Sequence, residues 1–170
     1  VEAPVSVVTN SPVEKQAVPF PSLDFFERLG ELMNRQPAKY EQLGWCDIRI
    51  LCAVVADDPL NEDEYYGLEF DTFDCAAVEK VAAANPAEAM AAFDADCVLE
   101  AYYSTWREML EAIRANGSAD LTHTLNYLTL PDVPMRAWGP DQERADKFFR
   151  FNQTLQEFFN DASQLHFASR

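Results

Sequence analysis

FDADCVLEAYYSTWREMLEAIRANGSADLTHTLNYLTLPDVPMRAW, running from Phe93 to Trp138, changes its hydrophobic period partway along, and that change decides the fold. Over Phe93 to Ala101 the residues alternate: Phe93, Ala95, Cys97, Leu99 and Ala101 share one face, with Asp94, Asp96, Val98 and Glu100 on the other. That two-residue period predicts a half-buried strand. From Tyr102 the period becomes helical, with Trp106, Met109, Leu110 and Ile113 at i, i+3, i+4 and i+7. Thr105 followed three residues later by Glu108 predicts a capping box, and Asn116-Gly117 a helix stop. Asp120 predicts the cap of a second helix with Leu121, Leu125 and Leu128 inward, and Met135–Trp138 a short closing strand. The tight strand-to-helix link folds the Trp106 stripe back onto the apolar face of its own strand.

Working outward toward the N-terminus, Ser22 is a good cap for a helix that turns Phe25, Phe26, Leu29, Leu32 and Met33 to one side. Pro37 ends it, and a further turn or two runs to Gly44. Beyond Trp45, Ile48, Ile50, Cys52 and Val54 form one strand face and Arg49, Leu51, Ala53 and Val55 the other. Both faces are largely apolar, so this strand is expected at the centre of a sheet, covered on both sides. Asp57–Glu64 is a polar hairpin loop; five of its eight residues are acidic, but the glycine and flanking helices of a calcium loop are missing. Tyr66, Leu68 and Phe70 mark the next strand, Cys75–Val81 a weaker one, and Asn85-Pro86 the start of a short Ala-rich helix. Residues 1–21 hold four prolines and little periodicity, which predicts an extended or disordered arm ahead of a domain spanning 22–170; Val5, Val7 and Val8 could add a short edge pairing.

Toward the C-terminus, Gly139-Pro140 opens a last helix. Along it Phe148, Phe151, Leu155, Phe158, Ala162 and Leu165 recur at spacings of three and four, widened by Phe149 and Phe159. Such a stripe either packs permanently on the sheet or lids a cavity.

Thirteen basic residues against 29 acidic ones give a formal net charge of −16. A surface of that sign repels phosphate backbones and anionic headgroups, which excludes nucleic acid as a partner class and argues against stable membrane association. Cys46, Cys52, Cys75 and Cys97 form no C-x-x-C pair and no metal-ligand spacing, and read as reduced core residues. No run approaches the length of a membrane span, and no basic-apolar-small leader opens the sequence; a cytoplasmic protein is the expectation.

No nucleophile elbow, phosphate-cradling glycine loop or H-E-x-x-H motif is present, and His123 and His166 fall on different segments. Asp94, Asp96 and Glu100 read as a solvated strand face rather than an acid–base pair. No metal, cofactor or catalytic residue is assigned.

The FDADCVLEA strand, the STWREMLEAI helix, the PMRAW strand and the FFRFNQTLQEFF helix, in that order, resemble the bacterial sterol-carrier-protein (type 2) domain family over roughly Phe20 to Ala162. Where members commonly carry a Gly-Lys-rich turn before the last strand, this chain has LTLPDV from Leu128 to Val133. The expected fold is α+β: about five mainly antiparallel strands covered by helices, with a long C-terminal helix over a hydrophobic cavity. The resemblance implies an apolar tunnel between sheet and helices holding a fatty acid, acyl thioester or sterol, without covalent catalysis. Candidate wall residues are Trp106, Met109, Leu110, Ile113, Met135, Trp138, Phe148, Phe151, Leu155 and Phe158, although such stripes are more often plain core than ligand wall. Arg107 and Arg136, each close to a tryptophan in sequence, could pin a carboxylate or phosphate head; ordinary salt bridging is the competing reading. Two alternatives stand beside this one. An isomerase or hydrolase would need one of Asp94, Asp96, Glu100 or Glu108 turned inward beside aromatics. An interaction module would use the terminal aromatic helix, including to form a homodimer.

Overall fold

The strand whose two faces both read as apolar lies at the middle of the sheet. In a computed structural model, which describes residues 16–170, β2 (Ile48–Val55) pairs antiparallel with β3 (Glu64–Asp71) and parallel with β5 (Cys97–Tyr102). Antiparallel pairing of β4 (Asp74–Val81) with β3, and of β6 (Arg136–Trp138) with β5, completes the order β4-β3-β2-β5-β6. The fold is therefore α+β with a five-stranded, mainly antiparallel sheet. On β2, Leu51 and Ala53 face a small cluster with α3 (Pro86–Phe93). Ile48, Ile50, Cys52 and Val54 face the main core beneath α1 (Leu23–Asn34), α4 (Tyr103–Asn116) and α7 (Asn152–Asn160). All four cysteines are free and buried, and burial pushes the thiols of Cys46, Cys75 and Cys97 up to about 12.

Local chemistry sets most of the helix ends. Ser22 Oγ accepts from the Phe25 N–H at 3.0 Å, and Asn85 Oδ1 from the Glu88 N–H at 2.9 Å with Pro86 behind it. Asp141 Oδ1 accepts from the Arg144 N–H at 2.8 Å to open α6 (Gln142–Arg150), and Gly117, at φ +81°, closes α4. Gly67 lets α3 settle on β3: a Cβ there would stand 2.4 Å from the Phe93 ring, so any side chain collides with the helix.

Several expectations are corrected. The alternation from Phe93 is only half strand. Phe93 ends α3, Asp94 takes the left-handed conformation at φ +55°, and the chain turns over before β5 begins. Phe93 and Ala95 thus join Val98 under α3, while Cys97, Leu99 and Ala101 face the main core. Asp96, expected in solvent, is 5% exposed. The predicted capping box on Thr105 is absent. Asp57, from the β2–β3 loop, caps α4 across the chain, accepting from the Ser104 N–H at 3.0 Å and its hydroxyl at 2.6 Å. Glu64, at the end of the same loop, is buried rather than solvated. After α4, Leu125 and Leu128 turn inward on the single-turn α5 (Leu125–Leu128), but its cap is Thr124 rather than Asp120, and Leu121 is 87% exposed.

The terminal helix is not one rod. It breaks at Phe151 into α6 and α7, continues as a 3-10 turn over Asp161–Gln164, and ends in β7 (Phe167–Ser169). That strand pairs in parallel with β1 (Val18–Phe20), the final part of the expected arm. The expected arm over residues 1–15, with the edge pairing of Val5, Val7 and Val8, lies outside the described residues. Arg114 donates to the Phe167 carbonyl while its guanidinium covers the Phe167 ring at 3.9 Å, and the Tyr103 hydroxyl donates to the Arg170 carbonyl.

Candidate functional site

Nine of the ten expected wall residues converge. Trp106, Met109, Leu110, Ile113, Met135, Phe148, Phe151, Leu155 and Phe158 are buried in the one core cluster between the sheet and α1, α4 and α7. Trp138 stands apart, half-buried on the other face of the sheet with the α3 cluster. Within the main cluster, Trp106 donates its indole N–H to the Ala53 carbonyl at 3.2 Å and packs on Phe159 at 5.8 Å. The stripe on the last two helices is turned into the chain's own core, leaving Phe149 as the exposed aromatic on that face.

The two expected polar anchors do not converge on that interior. Arg107 is half-buried on α4 with its guanidinium 5.4 Å from the Tyr103 ring centre, and Arg136 is exposed on β6, 5.1 Å from Trp138. Neither meets a carboxylate among the described residues; both make cation–π contacts instead.

Two buried carboxylates hold the broken helix over the core from its two ends. At the α6 end, Asp96 accepts from the Arg49 N–H at 2.8 Å and from Arg144 Nε at 2.7 Å, with Lys147 Nζ at 3.5 Å. Burial by itself would raise its pKa, but the Arg49 N–H, Arg144 and Lys147 outweigh burial and keep it below the ordinary carboxylate value. At the α7 end, Asp161, 1% exposed, accepts from the Tyr40 hydroxyl at 2.7 Å, Lys39 Nζ at 2.9 Å and Gln36 Nε2 at 3.0 Å. Those three donors come from α2 (Pro37–Leu43) and the residue that opens it. Burial, then the bond to Asp161, pushes the Tyr40 phenol far above its usual range. Burial works to lower the Lys39 ammonium, but Asp161 and Glu157 hold it raised.

The joint lies between these anchors. Of four prominent clefts, the one touching the expected wall residues is a recess of about 230 Å³ lined by Leu43, Trp45, Arg150, Phe151, Gln153 and Thr154. Trp45, 59% exposed, leans on Phe151 at 5.5 Å, and the Arg150 guanidinium is 5.8 Å from the same ring. Phe151 belongs to both recess and core. Thr154 is 4% exposed, and the buried Nδ2 of Asn152, two residues before it, is unpartnered among the described residues. Sequence reasoning passed over Arg150 and Thr154. The available signal was Arg150 next to Phe151 in the aromatic stripe, but the break that gathers them with Trp45 has no glycine or proline to announce it.

The other clefts are a 730 Å³ trough by the β2–β3 loop, a 600 Å³ groove between α1 and the β7 end, and a 450 Å³ hollow at the β3–β4 turn. No helix among the described residues is long and apolar enough to cross a membrane. Among the same residues, no group of three or more His, Cys, Asp or Glu is placed to hold a metal ion.

No protein-family model matches the chain, and no curated protein matches it in sequence. Its shape does have counterparts. A crystal structure of sterol carrier protein 2 superposes with a TM-score of 0.59 at 16% identity, covering 84% of this chain and 95% of that one. The solution structure of a conserved hypothetical protein from Thermus thermophilus, itself suggested to be a sterol carrier protein, gives 0.54 at 15% identity, over 84% and 88%. The chain has the sterol-carrier-protein type of fold.

Proposed function

We propose that this protein binds and carries a hydrophobic small molecule (a fatty acid, acyl thioester or sterol) between its sheet and the α4–α7 helices, without covalent chemistry. The observation that carries the reading is the sterol-carrier type of fold enclosing a core cluster of aromatic and aliphatic side chains beneath a jointed helix. Each methylene moved from water into such an interior contributes about 0.8 kcal/mol, so ten give about 8 kcal/mol gross, near micromolar before the costs of association. Asp96, the buried member of the expected acid–base candidates, is engaged by Arg144 and Lys147, which suits a structural carboxylate better than a general base. Four buried, free thiols suit a reducing compartment, and we place the protein in the cytoplasm.

Delipidated protein titrated with fatty acid, acyl thioester and sterol, and read by native mass spectrometry, tests the reading. One-to-one complexes with at least one of the three are expected. Uptake of none of them at ligand concentrations of about 100 μM, a hundred times the gross estimate, would end it.

A further inference from the structure

We infer that the recess at the α6–α7 joint is the mouth of the binding site, and that it selects amphipaths with an anionic oxygen head over neutral ones of the same length. This rests on the carrier reading and specifies it. Four observations meet there. First, the helix lying over the core is interrupted at Phe151, whose backbone (φ −106°, ψ 14°) leaves the helical region, so the two halves can part without unwinding either. Second, buried carboxylates pin the outer ends, Asp96 holding α6 and Asp161 holding α7, which leaves the joint as the place where the cover can give.

Third, the Phe151 side chain stands between recess and core and is braced from outside by Trp45, so a rotamer change there connects the surface to the Phe148–Phe158 interior. A recess of about 230 Å³ accommodates a head and the first methylenes, and the rest of a chain must pass Phe151. Fourth, the recess carries polar groups. Thr154 offers a hydroxyl and Gln153 an exposed amide. Arg150 is the one charged residue in the lining and pairs with no carboxylate among the described residues, although the chain carries 29 of them. A free guanidinium over an aromatic ring, with a hydroxyl in the same lining, suits a carboxylate or phosphate oxygen with an apolar tail. The anchor expected at Arg107 or Arg136 is thereby relocated to Arg150.

The test uses the full chain, delipidated, near neutral pH, with dodecanoic acid, dodecyl phosphate and dodecanol as probes. Affinity is read by calorimetry and by the emission of Trp45, the most exposed of the tryptophans. The wild type is expected to bind both anions at least about tenfold more tightly than the alcohol, the effect of one charge-assisted pair. Arg150→Gln, at an exposed position and with an unaltered unfolding midpoint, is expected to bring both anions down to within about twofold of the alcohol. The tighter of the two anions in the wild type identifies the head. Equal affinity of the wild type for acid and alcohol overturns the inference and leaves the carrier reading standing. So does an anion preference that survives in Arg150→Gln. Binding of none of the three removes the carrier reading itself.

Discussion

Asp96 shows how far one side chain can depart from the pattern it sits in. Alternation from Phe93 puts it on the outer face with Asp94 and Glu100, yet it is buried, because the left-handed residue at Asp94 turns the chain over and brings Asp96 under α6. A reader of the sequence sees the period and misses the turn, since the αL conformation falls on an aspartate rather than a glycine. The energetic consequence is testable. Its folded pKa is depressed below the value of about 3.9 expected for an unfolded aspartate. The stabilisation is therefore complete above the unfolded value and is lost as pH falls through the folded one. Asp96→Asn keeps an acceptor for the Arg49 N–H but strands Arg144 and Lys147, and is expected to cost about 2–3 kcal/mol at neutral pH. In urea unfolding across pH 2–7, the gap between wild type and variant should close below about pH 4. A gap that stays constant over that range would show that Asp96 acts through shape and not charge.

At the level of elements, the parts legible in the sequence were those with local causes. Ser22, Asn85-Pro86, Asp141 and Gly117 mark helix ends where the caps are made, and the doubly apolar Ile48–Val55 is the central strand. What escaped was set at a distance. β1 and β7 are three residues each, and they pair only because the two ends of the described chain meet. The cap of α4 comes from Asp57, 47 positions away. The break at Phe151 interrupts a stripe whose spacing runs through it unchanged, so periodicity gives one helix where there are two. The apolar stripes that hold the candidate wall residues were legible as core for a related reason: any stripe facing a core can be read, whereas a recess formed where three segments meet cannot. The same distance-spanning bonds govern motion. Asp161 joins the end of α7 to Gln36, Lys39 and Tyr40, so Asp161→Asn should loosen α7 and α2 together. We expect amide hydrogen exchange to speed up about tenfold or more over Asn152–Asn160 and Pro37–Leu43, and to stay unchanged in β2 and β3. Acceleration confined to α7, with α2 still protected, would mean that the carboxylate does not couple the two helices.

Over the whole molecule, charge opposes the cargo proposed above. A carrier of amphipathic anions must collect them from bilayers, yet a chain of net charge −16 is repelled by anionic bilayers and, at long range, by the cargo. In the proposed site a single arginine at the joint would resolve the second conflict locally: at a few ångströms its field prevails, while the acidic surface governs the approach. The first conflict remains and has a measurable signature. The Debye length shrinks from about 30 Å at 0.01 M salt to about 8 Å at 0.15 M, so repulsion between the protein and an anionic vesicle reaches far at low salt and little at physiological strength. Uptake of a fluorescent fatty acid from vesicles containing phosphatidylserine is thus expected to be several-fold slower than from pure phosphatidylcholine at about 0.01 M salt, with the two rates converging near 0.15 M. Stopped-flow fluorescence with matched vesicle sizes reads the difference. Faster uptake from the anionic vesicles at low salt would require a basic docking face strong enough to outweigh the rest of the surface, and the charge argument would then be wrong for this molecule.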